Sequence, residues 1–343
     1  MRAFDISIVG ATGAVGAELI KLLESSQIPI SRLRLLASRN SSGRQLKFRD
    51  GICIVEPLGE SGNTSADIAF FSAGSTISTE WGPRFAAAGT LVIDNSNAFR
   101  MHSNVPLIVP QVNPEALAAR PQSNIVANPN CSTIQLVRVL RPLVTAFSIN
   151  QIILTTYQAA SGGGLVGIDE LLDGTRSALK GRSGPSARRF PFSLAFNVIP
   201  QVGEMTPEGV TVEERKLTEE SRKILSLPQL QITSTCVRVP VLNGHSEAVY
   251  LEFKEPVRLE RVHHLLTNEP GVRLYPSGIR IEYPMPRFLE NPSDVHVGRV
   301  RGNPGNQCGL WIWVVADNLQ VGAALNAFLI AQLAIANNLI GGT

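Results

Sequence analysis

Asp5-Ile6-Ser7-Ile8-Val9-Gly10-Ala11-Thr12-Gly13-Ala14-Val15-Gly16-Ala17-Glu18-Leu19-Ile20 takes the chain from an apolar strand through a glycine-rich turn into the first residues of a helix. Strand periodicity stops at the glycines, and the i, i+3, i+4 apolar spacing of a helix begins after them. A strand-turn-helix unit of this kind aims backbone N–H groups and the positive end of a helix dipole at one point. A pyrophosphate binds well there, and glycine lets the backbone approach it. Gly10, Thr12, Gly13, Ala14 and Val15 are therefore candidate dinucleotide contacts. Leu33 to Ala37, Ile68 to Ala73, Leu91 to Asp94 and Asn124 to Ala127 repeat the short apolar strand with helical patterns between them. That alternation predicts a parallel α/β sheet, a Rossmann-like domain. The second strand runs into Ser38, Arg39 and Ser41, where an acidic residue would hold the ribose 2′-hydroxyl of NAD. Hydroxyls and a positive charge suit a 2′-phosphate instead, which predicts NADP(H). Ser72-Ala73-Gly74 closes a later strand with small side chains that let the cofactor lie across the sheet edge.

Working outward, 343 residues exceed one ordinary core and predict two domains at about 150 residues each. Beyond residue 130 the strands lengthen: Gln151 to Gln158, Gln231 to Val241, Glu247 to Glu255 and Leu310 to Ala316. They predict an α+β domain with a mostly antiparallel sheet. Gly181 to Gly203, rich in Gly, Pro, Ser and Arg, reads as an extended or mobile connection inside it. Asn318 to Thr343 carries no charge, but Asn326, Gln332, Asn337 and Asn338 interrupt it. It is expected to be a buried helix that completes the first domain rather than a membrane span. The expected boundaries are 1–130 with 318–343 for dinucleotide binding, and 131–317 for catalysis and dimerisation. Ile152, Leu154, Val237, Val239, Tyr250 and Leu251 form more apolar surface than the few helices can cover, which predicts a homodimer or a dimer of dimers.

A net charge of +3, with Lys and Arg scattered, argues against nucleic acid or a membrane surface as partner and suits small anionic ligands. Cys53, Cys131, Cys236 and Cys308 are far apart, and no secretory leader precedes the first strand, so a reducing cytoplasmic setting is expected, without disulfides and without a metal site. Among these thiols Cys131 stands out. Asn128-Pro129-Asn130-Cys131-Ser132-Thr133 places it where a strand gives way to a helix. There the dipole and unpaired N–H groups lower a thiol pKa from about 8.5 toward neutrality. A nucleophile needs a proton-moving partner, and His245, in Arg238-Val239-Pro240-Val241-Leu242-Asn243-Gly244-His245-Ser246, is the candidate. His102 and His296 are flanked by loop residues, while His263 and His264 lie on a charged helical pattern.

Taken in order, the Gly10 loop, Asp94 to Arg100, Asn128 to Thr133, Thr156-Tyr157-Gln158-Ala159-Ala160-Ser161, Glu213 to Lys216, Arg238 to Ser246 and Asp317-Asn318 resemble aspartate-β-semialdehyde dehydrogenases over essentially the whole chain. The resemblance implies NADPH-dependent reductive dephosphorylation of L-aspartyl-β-phosphate to the semialdehyde, on the route to lysine, threonine and methionine. It implies Cys131 as nucleophile through a thioester, His245 as proton carrier with a pKa near the working pH, and Gln158 as the group that orients thiol and carbonyl. By the same resemblance Arg238 clamps the α-carboxylate, Glu213 holds the α-ammonium group, and Arg100, Lys216 and Asn130 bind the leaving phosphate. Ser161, Gly162 and Asn318 are assigned to the nicotinamide side of the cofactor. From the residues alone, Thr211 to Glu214 reads as a capping box and Lys216, Glu220 and Lys223 as a solvated helix face. Gln320-Val321 departs from the basic residues usual there, which puts contacts at the cofactor pocket's edge in doubt. Two other readings stay open: an N-acetyl-γ-glutamyl-phosphate reductase, and a catalytically silent relative with a binding role.

Overall fold

The computed structural model describes residues 2–60, 64–182, 184, 188–276 and 282–340, which fall into two compact units, 1–130 with 323–343 and 131–322. In the first unit β1 (Phe4–Val9) leads into α1 (Ala14–Ser25), and β2 (Ile30–Ala37) pairs parallel to β1. A hairpin of β3 (Gln45–Phe48) and β4 (Gly51–Pro57), absent from the sequence reading, extends the sheet beyond β2. β5 (Ile68–Phe71), α2 (Ser75–Ala87), β6 (Leu91–Asp94) and β7 (Ile125–Ala127) complete it, in the order β3-β4-β2-β1-β5-β6-β7 with only β3 antiparallel. Gly10 ends β1 at φ +91°, and a methyl group there would stand 2.8 Å from the Ser72 backbone. The turn therefore requires glycine, both for its left-handed conformation and for the close approach of the two strand ends.

The uncharged helix Leu325–Ala336 packs onto this first sheet: Ala327, Phe328, Ile330, Ala331 and Ala334 share one buried core with Ile6, Ile8, Leu19 and Leu35. Among the described residues no helix is long and apolar enough to cross a membrane. Asn326, on the same helix, donates to the Ile108 carbonyl and, at 2.7 Å, to the Asn128 side chain. The final helix thus also steadies the end of β7, just before the nucleophile motif.

In the second unit α3 (Cys131–Ala146) precedes β8 (Ile149–Gln158), α4 (Gly164–Leu179), α5 (Val212–Leu225), β9 (Gln231–Arg238), β10 (His245–Phe253), α6 (Leu259–Thr267), β11 (Val272–Leu274), β12 (Val295–Asn303) and β13 (Asn306–Ala316). The sheet order is β11-β12-β13-β10-β8-β9. Its centre is antiparallel, but β8–β9 and β11–β12 pair in parallel, which makes the sheet mixed. The unit boundary falls after Gly322 rather than after Asp317, because the π-turn that begins at Gln320 brings Gly322 against Cys131. His296 is not in a loop: it is fully buried in β12, with its ring nitrogens at 3.2 Å from the Tyr275 hydroxyl and 2.7 Å from the Asn291 carbonyl oxygen. In the Gly181–Gly203 connection, residues 183 and 185–187 lie outside the described residues. The part that follows is anchored rather than loose, since Ile199 exchanges backbone hydrogen bonds of 3.0 and 2.8 Å with Arg238.

The apolar residues expected at a dimer surface belong to both faces of this sheet. Strand register places Ile152, Leu154 and Leu251 on the helix-covered face, where they are buried within the chain. The opposite face carries Ile153, which is 43% exposed, together with the ring pairs Tyr250–Trp311 at 5.1 Å and Tyr157–Trp313 at 5.6 Å.

Candidate active site

Strand alternation and register put Thr156 and Gln158 of β8, Cys236 and Arg238 of β9, and His245 and Glu247 of β10 on one face of the second sheet. Gln158 is paired with Arg238, and Thr156 lies between Cys236 and Glu247. Cys131 is the first residue of α3 and half-buried, at the end of the helix whose dipole favours an anion. It lies close enough to Arg238 for the two charges to act on each other. Gly322 packs on it so closely that a methyl group there would stand 2.6 Å from the Cys131 Cβ. Gly322 was missed in the sequence, where a glycine in an apolar run carries no signal of what it touches.

His245 is fully buried. The Ala159 N–H donates to its Nδ1 at 3.0 Å, so the neutral ring carries its proton on Nε2, which is buried and makes no hydrogen bond among the described residues. Burial, helped by the positive charge of Arg238, pushes its pKa down to about 3, well below the working pH expected from sequence. Arg238 donates to the Ala159 carbonyl at 2.6 Å and lays its guanidinium over the Phe190 ring, 5.4 Å from the centroid. A methyl group at Gly162 would stand 2.6 Å from Arg238 Nη1 and 3.3 Å from His245 Nε2, so the two side chains converge on the space beside that glycine.

Gln158 does not point its amide at a thiol here: its nitrogen donates to Glu213 at 3.1 Å and its oxygen accepts from Thr156 at 3.0 Å. The other Glu213 oxygen accepts from Lys216 at 3.1 Å. The capping box is present, with Thr211 accepting from the Glu214 N–H and Glu214 accepting from the Thr211 N–H. The helix face it opens is packed rather than solvated, since Glu213, Glu214 and Glu220 are all buried. Cys236, buried between Thr156 and these carboxylates, has its thiol pKa pushed up by desolvation. All four cysteines are free. The Ser161 hydroxyl lies 3.0 Å from the Asn318 side-chain oxygen and 2.9 Å from that of Asn243, and Asn318 also accepts from the Gly244 N–H. In this unit the three side chains brace the turn that precedes His245; Asn243 was not singled out in the sequence.

In the first unit Arg100 is buried and donates to the carbonyls of Asn128 and Asn95 at 2.9 and 2.8 Å. Asn130, also buried, follows at the end of the β7 segment. Asp94 accepts from Ser78 at 2.6 Å and from Ser96, which sets the loop that carries Arg100.

A cavity of ≈ 410 Å³ opens over the glycine turn, with Gly10, Thr12, Gly13, Ser38, Ser72 and Ala73 along its lining. Leu58, Ile77 and Trp81, unnoticed in the sequence, supply apolar walls, and none of the lining residues is acidic. Thr12 donates to Ser41 at 3.3 Å, tying the turn to the loop after β2. Arg39 is exposed in that loop and Gly74 is exposed after β5. Ala14 and Val15 form the first turn of α1. A glycine backbone for phosphates, apolar walls for a flat ring and a lining without an acid beside Ser38 fit a dinucleotide with a 2′-phosphate.

The family model for the semialdehyde dehydrogenase NAD binding domain matches residues 5–120, and that for the semialdehyde dehydrogenase dimerisation domain matches 140–321. The aspartate-semialdehyde dehydrogenase of Aquifex aeolicus is 42% identical over 98% of this chain and 99% of its own. The crystal structure of aspartate semialdehyde dehydrogenase II from Vibrio cholerae, complexed with ASA, is 41% identical, covers 98% of this chain and 99% of that one, and superposes with a TM-score of 0.94. The Candida albicans enzyme, solved with NADP, is 25% identical with a TM-score of 0.76, over 99% of this chain and 100% of that one. With both halves matched by their family models and relatives aligned end to end, the chain belongs to the aspartate-semialdehyde dehydrogenase family.

Proposed function

We propose that the protein reduces L-aspartyl-β-phosphate to L-aspartate β-semialdehyde with NADPH, releasing phosphate, as a step of amino-acid biosynthesis. The observation that carries this reading is a helix-start thiol within electrostatic reach of a buried guanidinium that shares a sheet face with a buried imidazole. The Cys131 thiolate attacks the acyl carbon, the S–C bond forms, the C–O bond breaks and phosphate leaves; Arg100, Asn130 and Lys216 serve that dianion. Bound NADPH, held by the glycine turn and the Ser38 loop, supplies the hydride. The reduced carbon then carries an oxyanion, whose collapse expels the Cys131 thiolate and gives the aldehyde without adding a proton to it. His245 needs only to donate from Nε2 to that oxygen, which matches its tautomer. Arg238 takes the α-carboxylate by a bidentate fork. Glu213, braced by Gln158 and Lys216, takes the α-ammonium group. This last pairing disfavours the N-acetylated substrate, whose nitrogen carries no charge to meet Glu213. A homodimer formed through the open face of the second sheet completes the reading.

The test is phosphate-dependent reduction of NADP by aspartate semialdehyde, set beside NAD and beside N-acetylglutamate semialdehyde. The expected outcome is turnover with the first pair only, abolished in Cys131→Ser. Unchanged aldehyde oxidation after alkylation of Cys131 would overturn the proposed mechanism, and no turnover with either aldehyde would favour the silent-relative reading.

A further inference from the structure

Arg238 is held by more than its own strand. The backbone of Arg238 exchanges two hydrogen bonds with Ile199, its Nη1 donates to the Ala159 carbonyl, and its guanidinium lies over the Phe190 ring. Phe190 in turn sits in a small core with Ala160, Leu171, Leu194 and Ile199, separate from the core of the first sheet. Its ring fills the space over the start of α4: methyl groups at Gly163 and Gly167 would stand 3.2 and 3.0 Å from it. What delivers the ring to that place is Glu170, 4% exposed on α4, whose Oε2 accepts the backbone N–H groups of Arg188 and Arg189 at 2.9 and 2.6 Å. A buried carboxylate accepting two adjacent backbone N–H groups fixes the path of the chain immediately before Phe190. No role in the reaction steps falls to Glu170 or Phe190, yet both converge on the one side chain assigned to the substrate carboxylate.

We infer that Phe190, steered by Glu170, is a positioning residue for Arg238, and that discrimination for a substrate bearing an α-carboxylate depends on this pair. The inference rests on the proposed role of Arg238 as carboxylate clamp. A guanidinium free to rotate presents its fork in many directions, whereas one held over an aromatic ring and bonded to a backbone carbonyl presents it in few, and the ordering cost of binding is met before the substrate arrives. A desolvated cation–π contact has the strength required. Arg189, whose charge acts on Arg238, occupies the same anchored stretch, so loosening Glu170 displaces a second cation as well.

Steady-state kinetics with aspartate semialdehyde test this in Phe190→Leu, Phe190→Tyr, Glu170→Gln and Arg238→Lys. Phe190→Leu keeps the apolar volume but removes the ring face, and is expected to raise KM about tenfold while kcat falls less. Phe190→Tyr restores the ring and is expected to restore KM. Glu170→Gln shifts KM in the same direction as Phe190→Leu. The preference for aspartate semialdehyde over the aminoaldehyde lacking the carboxylate shrinks in Phe190→Leu. If Leu and Tyr variants show the same KM, or if kcat falls as far as kcat/KM, Phe190 is packing only and the inference is overturned. If Arg238→Lys leaves KM and this preference unchanged, it is the clamp reading that fails. Circular dichroism and the rate of Cys131 alkylation, matched to wild type, separate these outcomes from misfolding.

Discussion

Ala159 has a backbone N–H and no alternative tautomer, so its bond to Nδ1 confines the His245 proton to Nε2. An imidazolium would need a proton on Nδ1 as well and would lose that bond, which adds to burial and Arg238 in keeping the ring neutral. The expected consequence for activity is a kcat profile without a histidine inflection between about pH 5 and 8, and more residual turnover in His245→Gln, which keeps a donor, than in His245→Ala. Stability carries a separate signature. Because the folded pKa is depressed from 6.5 to about 3, the neutral ring's contribution is complete above 6.5 and is lost as pH falls toward 3. Glu247 runs the other way. It is fully buried beside Gln135, and desolvation raises its pKa well above 4.5 against the smaller, opposing effect of that amide. Its contribution is complete below 4.5 and declines as pH rises. Urea midpoints measured across pH are expected to show Glu247→Gln gaining on wild type above about pH 5, and His245→Gln losing its slope on the acid side. Equal slopes in wild type and both variants would contradict these assignments.

At the scale of elements, the strand-turn-helix opening, the helix at Cys131 and the capping box of α5 were legible because each announces itself within a few residues: a period switch, a thiol at a helix start, Thr211 with Glu214. The β3–β4 hairpin was not, because a short hairpin at the margin of a sheet buries one end at most and leaves weak alternation; Ile52 and Ile54 of β4 are 66% and 59% exposed. The π-turn at Gln320 was equally silent. It matters for chemistry, since Gly322 leaves no room beside Cys131 for a methyl group. Gly322→Ala is expected to displace the sulfur and lower kcat about a hundredfold, with little change in the affinity for NADP measured by fluorescence titration. Retention of full kcat would show that the turn yields instead of the cysteine. Glu213 and Lys216 illustrate the opposite limit of sequence reading: their spacing is that of a solvated face, and the packing of α5 against α3 and β9 buries Glu213 and half-buries Lys216.

At the scale of the whole molecule, the open face of the second sheet leaves Ile153 exposed beside two tilted aromatic pairs, which a self-complementary interface there is expected to bury. Sedimentation at micromolar concentration is expected to return twice the 37.0 kDa of one chain, and Ile153→Asp to shift it toward the monomer. A wild-type mass equal to one chain would exclude the dimer. The sequence by itself determined the two-domain α/β and α+β plan and the dinucleotide turn, and singled out a thiol at a helix start, because these depend on periodicity and on residue types that few other roles require. Tertiary structure alone decided which strand faces are buried, which partner each polar side chain takes, and where the His245 proton resides. Those properties arise from groups distant in sequence meeting in a dry interior, where one donor or one carboxylate sets the charge state of its neighbour.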